Sequence, residues 1–520
     1  MNAMLPINAL NPEVLLRQLA KDGAQITVDT RALNAGDIMM AYPVGNLNQR
    51  SDNRSYIANA LALGVAAVLY DPEDLDSELL AVCEDERCIA IPELAKKAGA
   101  IAAAWYGQPS QYMRVIGVTG TNGKTSVAQW IAQGLDLKAS PSAIVGTLGA
   151  GLYQNQKPTG YTTPDAPRLQ SLLKDLKEQG AKLVAMEVSS HALDQGRVNG
   201  VIFDTVVITN LTQDHLDYHG SMSDYALVKK KIMAVPGIKN IVINADDDFG
   251  QECLLELSQS SDNSGVRIWA YATQVEKLSV LPCFPGKQLK RVLAKNIQTQ
   301  ASGMSFECLL DDQSLGVINT QSLGLFNISN MLAVASVLLS GDIEQFQIQS
   351  ILESLIPVKG RMELVIGKSD QAPLAIVDFA HTPDALEKTL KALQELAIKR
   401  SGDIWCVFGC GGDRDSLKRP IMGRIAEQYA SHVMLTSDNP RTESPELIIA
   451  EILSGFKHPE DVLINADRAT AILQVIRQAK SQDIVLVAGK GHEETQEVAG
   501  KKHPFSDQLH LQLAMGGAAV

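Results

Sequence analysis

A short glycine-rich segment, placed between an apolar run and an amphipathic run, carries side chains suited to binding phosphate. Residues 115–118 are mostly β-branched, residues 120–125 read Gly-Thr-Asn-Gly-Lys-Thr, and apolar residues then recur at helical spacing through 127–135. The glycines let backbone N–H groups approach an anion, Lys124 adds a point charge, and a hydroxyl of Thr125 or Ser126 can hold Mg²⁺. This pattern predicts a nucleotide phosphate loop of irregular spacing, with a plain strand–turn–helix connection as the alternative.

Two more polar clusters follow buried strands in the same region. Residues 183–188 read as a strand that carries Glu187 near its end, and residues 206–209 read as another that leads to His215. Because ligands gather at the carboxyl ends of strands in open α/β sheets, both clusters should lie near the phosphate loop. Glu187 and His215 are therefore candidate Mg²⁺ ligands, with a structural role as the alternative for the histidine. The three acids at 246–248 are interpreted as a solvated loop.

The last third of the chain repeats a strand followed by a polar, glycine-bearing loop. The loops should meet at one edge of one sheet. There Arg414 and Arg441 can grip carboxylates bidentately, and Glu493 can receive an amine. The pattern predicts a site for a carboxylate-bearing ligand. The four strands are expected at residues 374–377, 404–408, 433–435 and 484–487.

Positioning these clusters requires more than one domain, because 520 residues are too many for a single core. A Gly/Pro/Ser tract at 105–110 marks a boundary just before the phosphate loop. Alternating helices and strands over 111–358 favour a parallel sheet covered by helices, although 265–320 reads only as weak strands with hairpin-like turns. Residues 359–520 repeat the rhythm of a dinucleotide-binding fold. Residues 1–110 read as a helix around Val14, Leu15 and Leu19, then short strands at 26–28, 37–41 and 65–70.

The composition excludes several classes of protein. A net charge of -13, a pI near 5.3 and the absence of any Lys/Arg-rich block argue against nucleic-acid binding. Seven cysteines without a C-x-x-C pair fit reduced thiols better than disulfides or a zinc site. No apolar run approaches the ~18 residues of a membrane span, and no secretory leader is evident. We therefore expect a soluble, cytoplasmic protein that does not insert into a membrane.

The combination of motifs is more specific than the fold class, because the chain resembles the Mur ligases, ATP-dependent amide-forming enzymes of peptidoglycan synthesis. The resemblance spans nearly the whole chain. The motifs that carry it are TGTNGKT at 119–125, Thr162-Thr163-Pro164, EVSSH at 187–191, DHLDYH at 214–219, Tyr225 with Lys229, GLFNISN at 324–330, GRME at 360–363, Asp378 to Asp384, Gly409 to Asp415, DNPR at 438–441 and GKGHE at 489–493.

This resemblance implies a monomeric α/β ligase of three domains. Residues 1–110 would be a small α/β domain that binds the UDP-sugar substrate, 111–358 a central P-loop ATPase-like parallel-sheet domain that binds ATP and Mg²⁺, and 359–520 a dinucleotide-fold-like domain that binds the amino acid. Implied catalytic residues are Lys124, His215, Lys229 and Arg361. The implied metal ligands are Thr125, Glu187, His215 and a carbamylated Lys229. Implied ATP contacts are Gly120, Thr121, Asn122, Gly123, Lys124, Thr125, Ser126, Asn327, Asn330, Arg361 and Asp378.

The implied reaction adds meso-diaminopimelate to the D-glutamate of UDP-MurNAc-L-Ala-D-Glu through an acyl phosphate, a step in cell wall biogenesis, cell shape and cell division. L-Lysine in place of diaminopimelate, a folylpolyglutamate synthetase-like ligase and a non-catalytic nucleotide-binding module are the alternatives. The implied UDP-MurNAc-dipeptide contacts are Val28, Thr30, the loop after Gly45, Thr162, Thr163, Ser189, Gln195 and Arg197. The implied diaminopimelate contacts are Arg414, Asp438, Asn439, Pro440, Arg441, Gly489 and Glu493.

Overall fold

The computed structural model describes residues 18, 20, 21, 23–45, 51–137, 140–260, 265–300, 303–341, 343–367 and 372–516. The helix expected around Val14, Leu15 and Leu19, and the loop after Gly45, lie outside these residues. Three large sheets follow one another along the described chain, with two two-stranded ribbons beside them, and this architecture confirms the predicted α/β class. The domain bounds at 110/111 and 358/359 stay a prediction.

The first sheet is small and parallel, with strand order β1-β2-β5-β6. Short buried strands with apolar side chains on both faces suit a sheet that is covered on both sides. Tyr106, at the end of the last helix of this unit, accepts a hydrogen bond from the Ile26 N–H at 3.0 Å and so closes the unit. Its elements are β1 (Ile26–Thr27), β2 (Ile38–Ala41), β3 (Pro43–Val44), β4 (Ser51–Asp52), α1 (Ile57–Leu63), β5 (Ala67–Tyr70), α2 (Ser77–Val82), β6 (Cys88–Ala90) and α3 (Leu94–Trp105).

The second sheet is the largest, with order β16-β15-β14-β13-β12-β11-β7-β10-β8-β9. Strands β8 to β14, apart from the edge strand β9, pair in parallel with one another and with β7, and apolar cores fill both faces. The strands are β7 (Arg114–Thr119), β8 (Ser142–Gly146), β9 (Gly149–Leu152), β10 (Leu183–Glu187), β11 (Thr205–Ile208), β12 (Asn240–Asn244), β13 (Arg267–Ala272), β14 (Gln288–Gln300), β15 (Gly303–Leu310) and β16 (Gln313–Thr320). The helices are α4 (Lys124–Asp136), α5 (Ala166–Glu178), α6 (Ser190–Asp194), α7 (Leu216–His219), α8 (Met222–Lys230), α9 (Asp248–Gln259), α10 (Val275–Ser279), α11 (Leu325–Ser340) and α12 (Gln345–Ser354).

The stretch from 265 to 320 is more regular than its sequence suggests. Strand β14 alone has 13 residues, and β15 and β16 continue the central sheet in antiparallel register. Exposed polar residues alternate irregularly along these strands because a register shift between Lys295 and Gln298 interrupts the pairing. The predicted strands and hairpin turns are present, but the strands are long and paired within the central sheet, so the expectation that they would be weak was wrong.

The third sheet has the order β17-β18-β22-β19-β20-β21, in which only β17 is antiparallel to its neighbour. All four strands predicted in the last third are confirmed. The elements are β17 (Glu363–Val365), β18 (Leu374–Asp378), α13 (Pro383–Arg400), β19 (Ile404–Phe408), α14 (Lys418–Tyr429), β20 (His432–Leu435), α15 (Pro445–Leu453), β21 (Leu463–Ile464), α16 (Arg468–Gln478), β22 (Ile484–Ala488), β23 (Thr495–Val498), β24 (Lys501–Pro504) and α17 (Asp507–Ala514).

Polar contacts join the unit of the central sheet to the unit of the C-terminal sheet. Asn122 Nδ2, in the phosphate loop, donates to Asp384 Oδ2 at 3.0 Å. Farther away, Thr299 Oγ1 of the β14–β15 hairpin donates to Glu395 Oε2 of α13 at 2.5 Å. The phosphate loop therefore faces the C-terminal unit directly.

No helix in the described ranges is long and apolar enough to cross a membrane. All seven cysteines lie within those ranges as free thiols, in agreement with the expectation of reduced cysteines.

Candidate active site

The phosphate loop connects the end of β7 to the start of α4. Gly120 and Gly123 have φ values of +148° and +85°, and a Cβ at Gly120 would lie 1.9 Å from Thr209 Oγ1. Only glycine fits such a close approach without moving its neighbour. Lys124 Nζ donates to the carbonyl oxygens of Gly120 and Thr121, each at 2.8 Å, and burial lowers the pKa of this ammonium. The loop therefore has the glycine backbone conformation and the nearby lysine that its sequence predicts.

Glu187 is the carboxylate on which several predicted residues converge. It ends β10 and is 1% exposed. Thr125 Oγ1 donates to its Oε2 at 2.9 Å, while the N–H of Thr147 donates to its Oε1 at 2.8 Å. The Thr147 hydroxyl lies 3.1 Å from the same Oε2 and 3.0 Å from Thr162 Oγ1. Glu187 therefore connects the phosphate loop to the Thr162-Thr163 pair.

The residues expected to hold the dipeptide part of the substrate form one cluster. Thr163 Oγ1 donates to the Glu187 carbonyl oxygen at 2.8 Å and accepts from the Ser189 N–H at 3.1 Å. Arg197 Nη1 donates to the Thr163 carbonyl oxygen at 2.9 Å, and its Nε and Nη2 donate to Gln195 Oε1 at 2.9 and 2.7 Å. Burial lowers the pKa of Arg197. The cluster therefore holds the Arg197 guanidinium against Thr163 and Gln195, one hydrogen bond away from the backbone at the end of β10.

His215 and Lys229 lie on the next two elements, around an aromatic group. Burial lowers the pKa of His215 to about 4, so its imidazole is neutral at pH 7. Its ring centroid is 5.0 Å from that of His191 and 6.4 Å from that of Tyr225. Lys229 is 1% exposed, and its Nζ lies 4.6 Å from the Tyr225 ring centroid. Burial, with the charge of Lys124 as a second cause, lowers the pKa of Lys229 well below its usual range.

The carboxylates and imidazoles among the predicted magnesium ligands do not form a compact group by themselves. In the part of the chain that the structure describes, three such groups converge only at His458, Glu460 and Asp461, all of them exposed. Glu187 and His215 belong to no set of three. A cation between them would need further oxygen donors.

Arg361 reaches from the C-terminal unit to the phosphate loop. Its Nη2 donates to Thr125 Oγ1 at 3.1 Å, and its guanidinium lies 4.4 Å from the Phe379 ring centroid. Burial lowers the pKa of Arg361, an effect that Asp378 and Glu187 oppose. Its Nε is buried and has no hydrogen-bond partner among the described residues. Asp378 accepts two backbone N–H groups, at 2.7 and 2.9 Å, which hold it beside the guanidinium.

The predicted amino-acid site lies at the carboxyl edge of the third sheet. Asn439 Nδ2 donates to Glu493 Oε2 at 2.7 Å. Asp438 is buried, and a Cβ at Gly489 would lie 2.4 Å from its Oδ2. Arg441 has a φ of +53°, and its Nη1 donates to a backbone carbonyl oxygen at 2.6 Å. Loops after three different strands thus meet, as the sequence predicts.

Arg414 is the most exposed of these predicted contacts. Its Nη1 donates only weakly to the Asp413 carbonyl oxygen, at 3.4 Å. A Cβ at Gly411 would lie 3.0 Å from Arg441 Nη1 and 3.8 Å from Arg414 Cγ, so both arginines flank this glycine. Pro440 lies between Asn439 and Arg441 and is buried. The structure therefore brings the two arginines to the same loop.

The remaining predicted contacts are divided between two places. Asn330 Oδ1 would lie 2.5 Å from a Cβ at Gly123, and Asn330 Nδ2 donates to Asn327 Oδ1 at 3.3 Å. Both asparagines therefore lie behind the phosphate loop, on α11, and Ser126 is buried at the start of α4. Val28 and Thr30 lie in the N-terminal unit, where the Val28 carbonyl oxygen accepts from Asn53 Nδ2 at 2.9 Å.

Three residues of this site were missed at the level of sequence. Thr147 follows β8 at the same sheet edge as Glu187, which a strand-end rule could have found. Asp384, the partner of Asn122, opens α13 and looks like an ordinary helix-start acid. Lys490 belongs to the GKGHE motif, yet nothing in its spacing shows that it is fully buried.

The fold and the site define a class of enzyme. The Mur ligase middle domain matches residues 118–338, and the Mur ligase glutamate ligase domain matches residues 360–491. The chain belongs to the Mur ligase family. More particularly, the UDP-N-acetylmuramoyl-L-alanyl-D-glutamate--2,6-diaminopimelate ligase of Ralstonia nicotianae is 46% identical over 520 residues, covering 99% of this chain and 98% of that protein. The enzyme of the same name from Pseudomonas putida is 42% identical and covers 94% of both chains.

Solved structures agree with this assignment. A structure of a UDP-N-acetylmuramoyl-L-alanyl-D-glutamate--2,6-diaminopimelate ligase aligns with a TM-score of 0.64 and 32% identity, covering 94% of each chain. A MurF ligase from Thermotoga maritima in complex with ADP aligns with a TM-score of 0.57 and 15% identity, over 90% of this chain and 94% of that chain. The folylpolyglutamate synthase of Mycobacterium tuberculosis, with a TM-score of 0.55 and 15% identity, covers 76% of this chain and 92% of its own. At 15% identity the last two show the fold alone.

Proposed function

We propose that this chain is an ATP-dependent ligase that joins meso-diaminopimelate to the D-glutamate of UDP-MurNAc-L-Ala-D-Glu, a step of peptidoglycan synthesis. The γ-phosphoryl group of ATP passes to the side-chain carboxylate of D-glutamate, and ADP leaves. The diaminopimelate amine then attacks the acyl phosphate, and inorganic phosphate leaves. The names of relatives at 42 to 46% identity over nearly the full chain support this proposal.

One observation carries the proposal at the level of geometry. The Thr125 hydroxyl donates to Glu187 at 2.9 Å and accepts from Arg361 at 3.1 Å. The Thr147 hydroxyl connects the same Glu187 to Thr162, at 3.1 and 3.0 Å. The phosphate loop, the candidate acceptor site and the Arg361 guanidinium therefore lie next to one another around Glu187. Phosphoryl transfer requires the ATP and acceptor sites to be adjacent, with positive charge close to both anions.

The charged residues of the chain have defined tasks in this reaction. Two anions, the γ-phosphate and the D-glutamate carboxylate, must approach each other, and Lys124 and Arg361 supply the positive charge that offsets their repulsion. The Arg361 Nε, buried without a partner among the described residues, is available to a ligand oxygen. Contact between the central and C-terminal units keeps water from the acyl phosphate, which water would otherwise hydrolyse.

The residues at this site fit Mg²⁺. The Thr125 hydroxyl and the Glu187 carboxylate lie 2.9 Å apart, and hard divalent cations prefer such oxygen donors together with phosphate oxygens. His215, neutral because burial lowers its pKa to about 4, keeps a nitrogen lone pair for coordination. When bound, the ion supplies further positive charge near the transferring phosphoryl group.

Lys229 is proposed to be carbamylated. Burial lowers its pKa well below the usual range, which favours the unprotonated amine that reacts with carbon dioxide. The carbamate would turn this buried amine into an oxygen ligand on the same side of the site as His215. The 4.6 Å contact of Nζ with the Tyr225 ring holds the side chain there.

The amino-acid site is proposed to select diaminopimelate through its distal end. Arg441 and Arg414 flank one glycine loop and can bind the distal carboxylate, which L-lysine lacks. Glu493, hydrogen-bonded to Asn439 at 2.7 Å, can bind the distal ammonium. L-Lysine offers no distal carboxylate to these arginines, so it loses their charge-assisted hydrogen bonds, each worth about 1.5–3 kcal/mol.

The N-terminal unit completes the proposal as the site of the UDP part, with Val28 and Thr30 as contacts. The enzyme would act in the cytoplasm as a monomer. Its seven free thiols fit a reducing compartment.

Phosphate release by the purified enzyme tests the function. We expect release only when ATP, UDP-MurNAc-L-Ala-D-Glu and meso-diaminopimelate are all present. Stimulation by L-lysine and not by diaminopimelate would replace the amino acid in the assignment, and folate-dependent turnover would point to the folylpolyglutamate alternative. Full biological activity of a Lys124→Ala variant that cannot bind nucleotide would support a non-catalytic module.

A further inference from the structure

Lys490 is a buried lysine beside the amino-acid site that takes no part in the proposed reaction steps. It follows β22 and Gly489, whose φ of +111° suits glycine, and the Lys490 side chain is 0% exposed. An ammonium without solvent must be compensated by hydrogen bonds and opposite charge. Its Nζ donates to Asn439 Oδ1 at 2.9 Å and to Glu493 Oε2 at 2.8 Å. Both partners belong to the predicted diaminopimelate site.

These contacts fix which way the Asn439 amide points. Its Oδ1 accepts from Lys490 and also from the backbone N–H of Glu497, at 2.9 Å. Two donors fill the two lone pairs of that oxygen, so the amide nitrogen must point the other way, toward Glu493 at 2.7 Å. The amide nitrogen of Asn439 therefore faces the carboxylate that is proposed to bind the distal ammonium. A neutral side chain at position 490 would release this orientation.

The same ammonium balances the charge of Glu493. The carboxylate is 32% exposed, and its Oε2 accepts from both Lys490 and Asn439. The paired carboxylate can still bind an ammonium through Oε1, but it no longer presents a full uncompensated negative charge. A ligand end that carries only an ammonium is attracted most strongly by a carboxylate without a paired cation. A ligand end that also carries a carboxylate is repelled by such an unpaired carboxylate.

We propose that Lys490 is a positioning and specificity-determining residue of the amino-acid site. By neutralising Glu493 and orienting Asn439, it makes this wall select a ligand end that carries both an ammonium and a carboxylate over an end that carries an ammonium alone. This inference rests on the proposed function, because the wall is read as the diaminopimelate site.

Steady-state kinetics of the full-length Lys490→Met variant test this proposal, with meso-diaminopimelate and L-lysine as the two amino acids. Loss of hydrogen bonds from a charged donor should raise the KM for diaminopimelate by about 10- to 100-fold, with the KM for ATP within about twofold. The ratio of kcat/KM for diaminopimelate to that for lysine should fall at least about tenfold. Lys490→Arg keeps the charge, so its ratio should stay within about threefold of the wild-type ratio even where its KM rises.

Lys391→Met is the matched control, because it removes an exposed lysine paired with Glu387 at 2.6 Å on α13 and should change neither ratio nor KM. Where Lys490→Met does not fold, Lys490→Gln keeps a donor without the charge and should shift the ratio in the same direction.

An unchanged ratio in the neutral variant overturns the proposal. So does a parallel rise of the KM for ATP and diaminopimelate together with a lower melting temperature, which indicates a merely structural lysine. A wild-type enzyme that does not use diaminopimelate at all refutes the proposed function instead, and the two failures are therefore distinguishable.

Discussion

Replacing Arg361 by lysine isolates the guanidinium that joins the C-terminal unit to the phosphate loop. The change keeps one positive charge but removes the planar fork that donates to Thr125 at 3.1 Å and lies 4.4 Å from the Phe379 ring. A hydrogen bond from a charged donor is worth about 1.5–3 kcal/mol, and the ring contact adds about 0.5–1 kcal/mol. Together these predict a loss of about 2–4 kcal/mol.

The kinetic parameter that changes in the Arg361→Lys variant shows whether Arg361 acts in the transition state or in substrate binding. If Arg361 acts on the transferring phosphoryl group, the loss is expressed in the transition state, and kcat should fall by about 30- to 1000-fold. The KM for UDP-MurNAc-L-Ala-D-Glu should stay nearly constant, because the dipeptide cluster around Thr163 lies on the central unit. Diaminopimelate-dependent phosphate release measures both quantities.

Arg400→Lys provides the control, since among the described residues that guanidinium donates to the carbonyl oxygens of Gln482 and Ser481, and to no group of the site. A kcat for Arg361→Lys within about threefold of the wild-type value contradicts the reasoning, because it leaves the fork without a role. A loss that appears only in the KM for ATP would also contradict it.

Three further outcomes are expected. Lys229→Met should abolish activity and remove a carbamate signal seen by NMR after labelling with carbon-13 bicarbonate; a wild-type enzyme without that signal contradicts carbamylation. Burial raises the pKa of Asp247 to about 6 from an unfolded value near 3.9, so the folded state binds more protons between these pH values and loses stability as pH rises through 6. Asp247→Asn keeps an acceptor for the Leu211 N–H and should therefore gain about 1–3 kcal/mol against urea at pH 8 but nothing near pH 3.5; an equal gain at both pH values refutes the charge argument. Asp507→Ala leaves the fully buried Arg468 without its carboxylate at 2.8 Å and should cost about 3–5 kcal/mol in the same assay, a loss below about 1 kcal/mol being inconsistent with a buried pair.

Sequence predicted the elements of the site well because strand-end chemistry depends on local patterns. The glycines of the phosphate loop, Glu187 at the end of β10 and the loops after four C-terminal strands are all signals within a few residues. Parallel sheets then bring such strand ends together by topology. The strands of the site, and the meeting of their terminal loops at one sheet edge, could therefore be predicted from the sequence.

The long-range partners could not be argued in the same way. The contact of Arg361 with Thr125 spans 236 residues, and that of Asn122 with Asp384 spans 262. Such contacts depend on how two units pack, which no periodicity records. The acids at 246–248 show the same limit: Asp246 accepts from the Thr273 N–H at 2.7 Å and Asp247 from Leu211 at 3.2 Å, and only Asp248 is exposed as the solvated loop predicted.

The Thr125 hydroxyl, shared between Glu187 and Arg361, has a consequence for the thermodynamics of substrate binding. If ATP strengthens the contact between the phosphate loop and the C-terminal unit, it also stabilises the arrangement in which the C-terminal unit binds diaminopimelate. Diaminopimelate stabilises the same contact when it binds first. ATP and diaminopimelate should therefore raise each other's affinity by the same factor, although they need not touch. An inhibitor that wedges the two units apart would weaken both ligands at once while competing with neither.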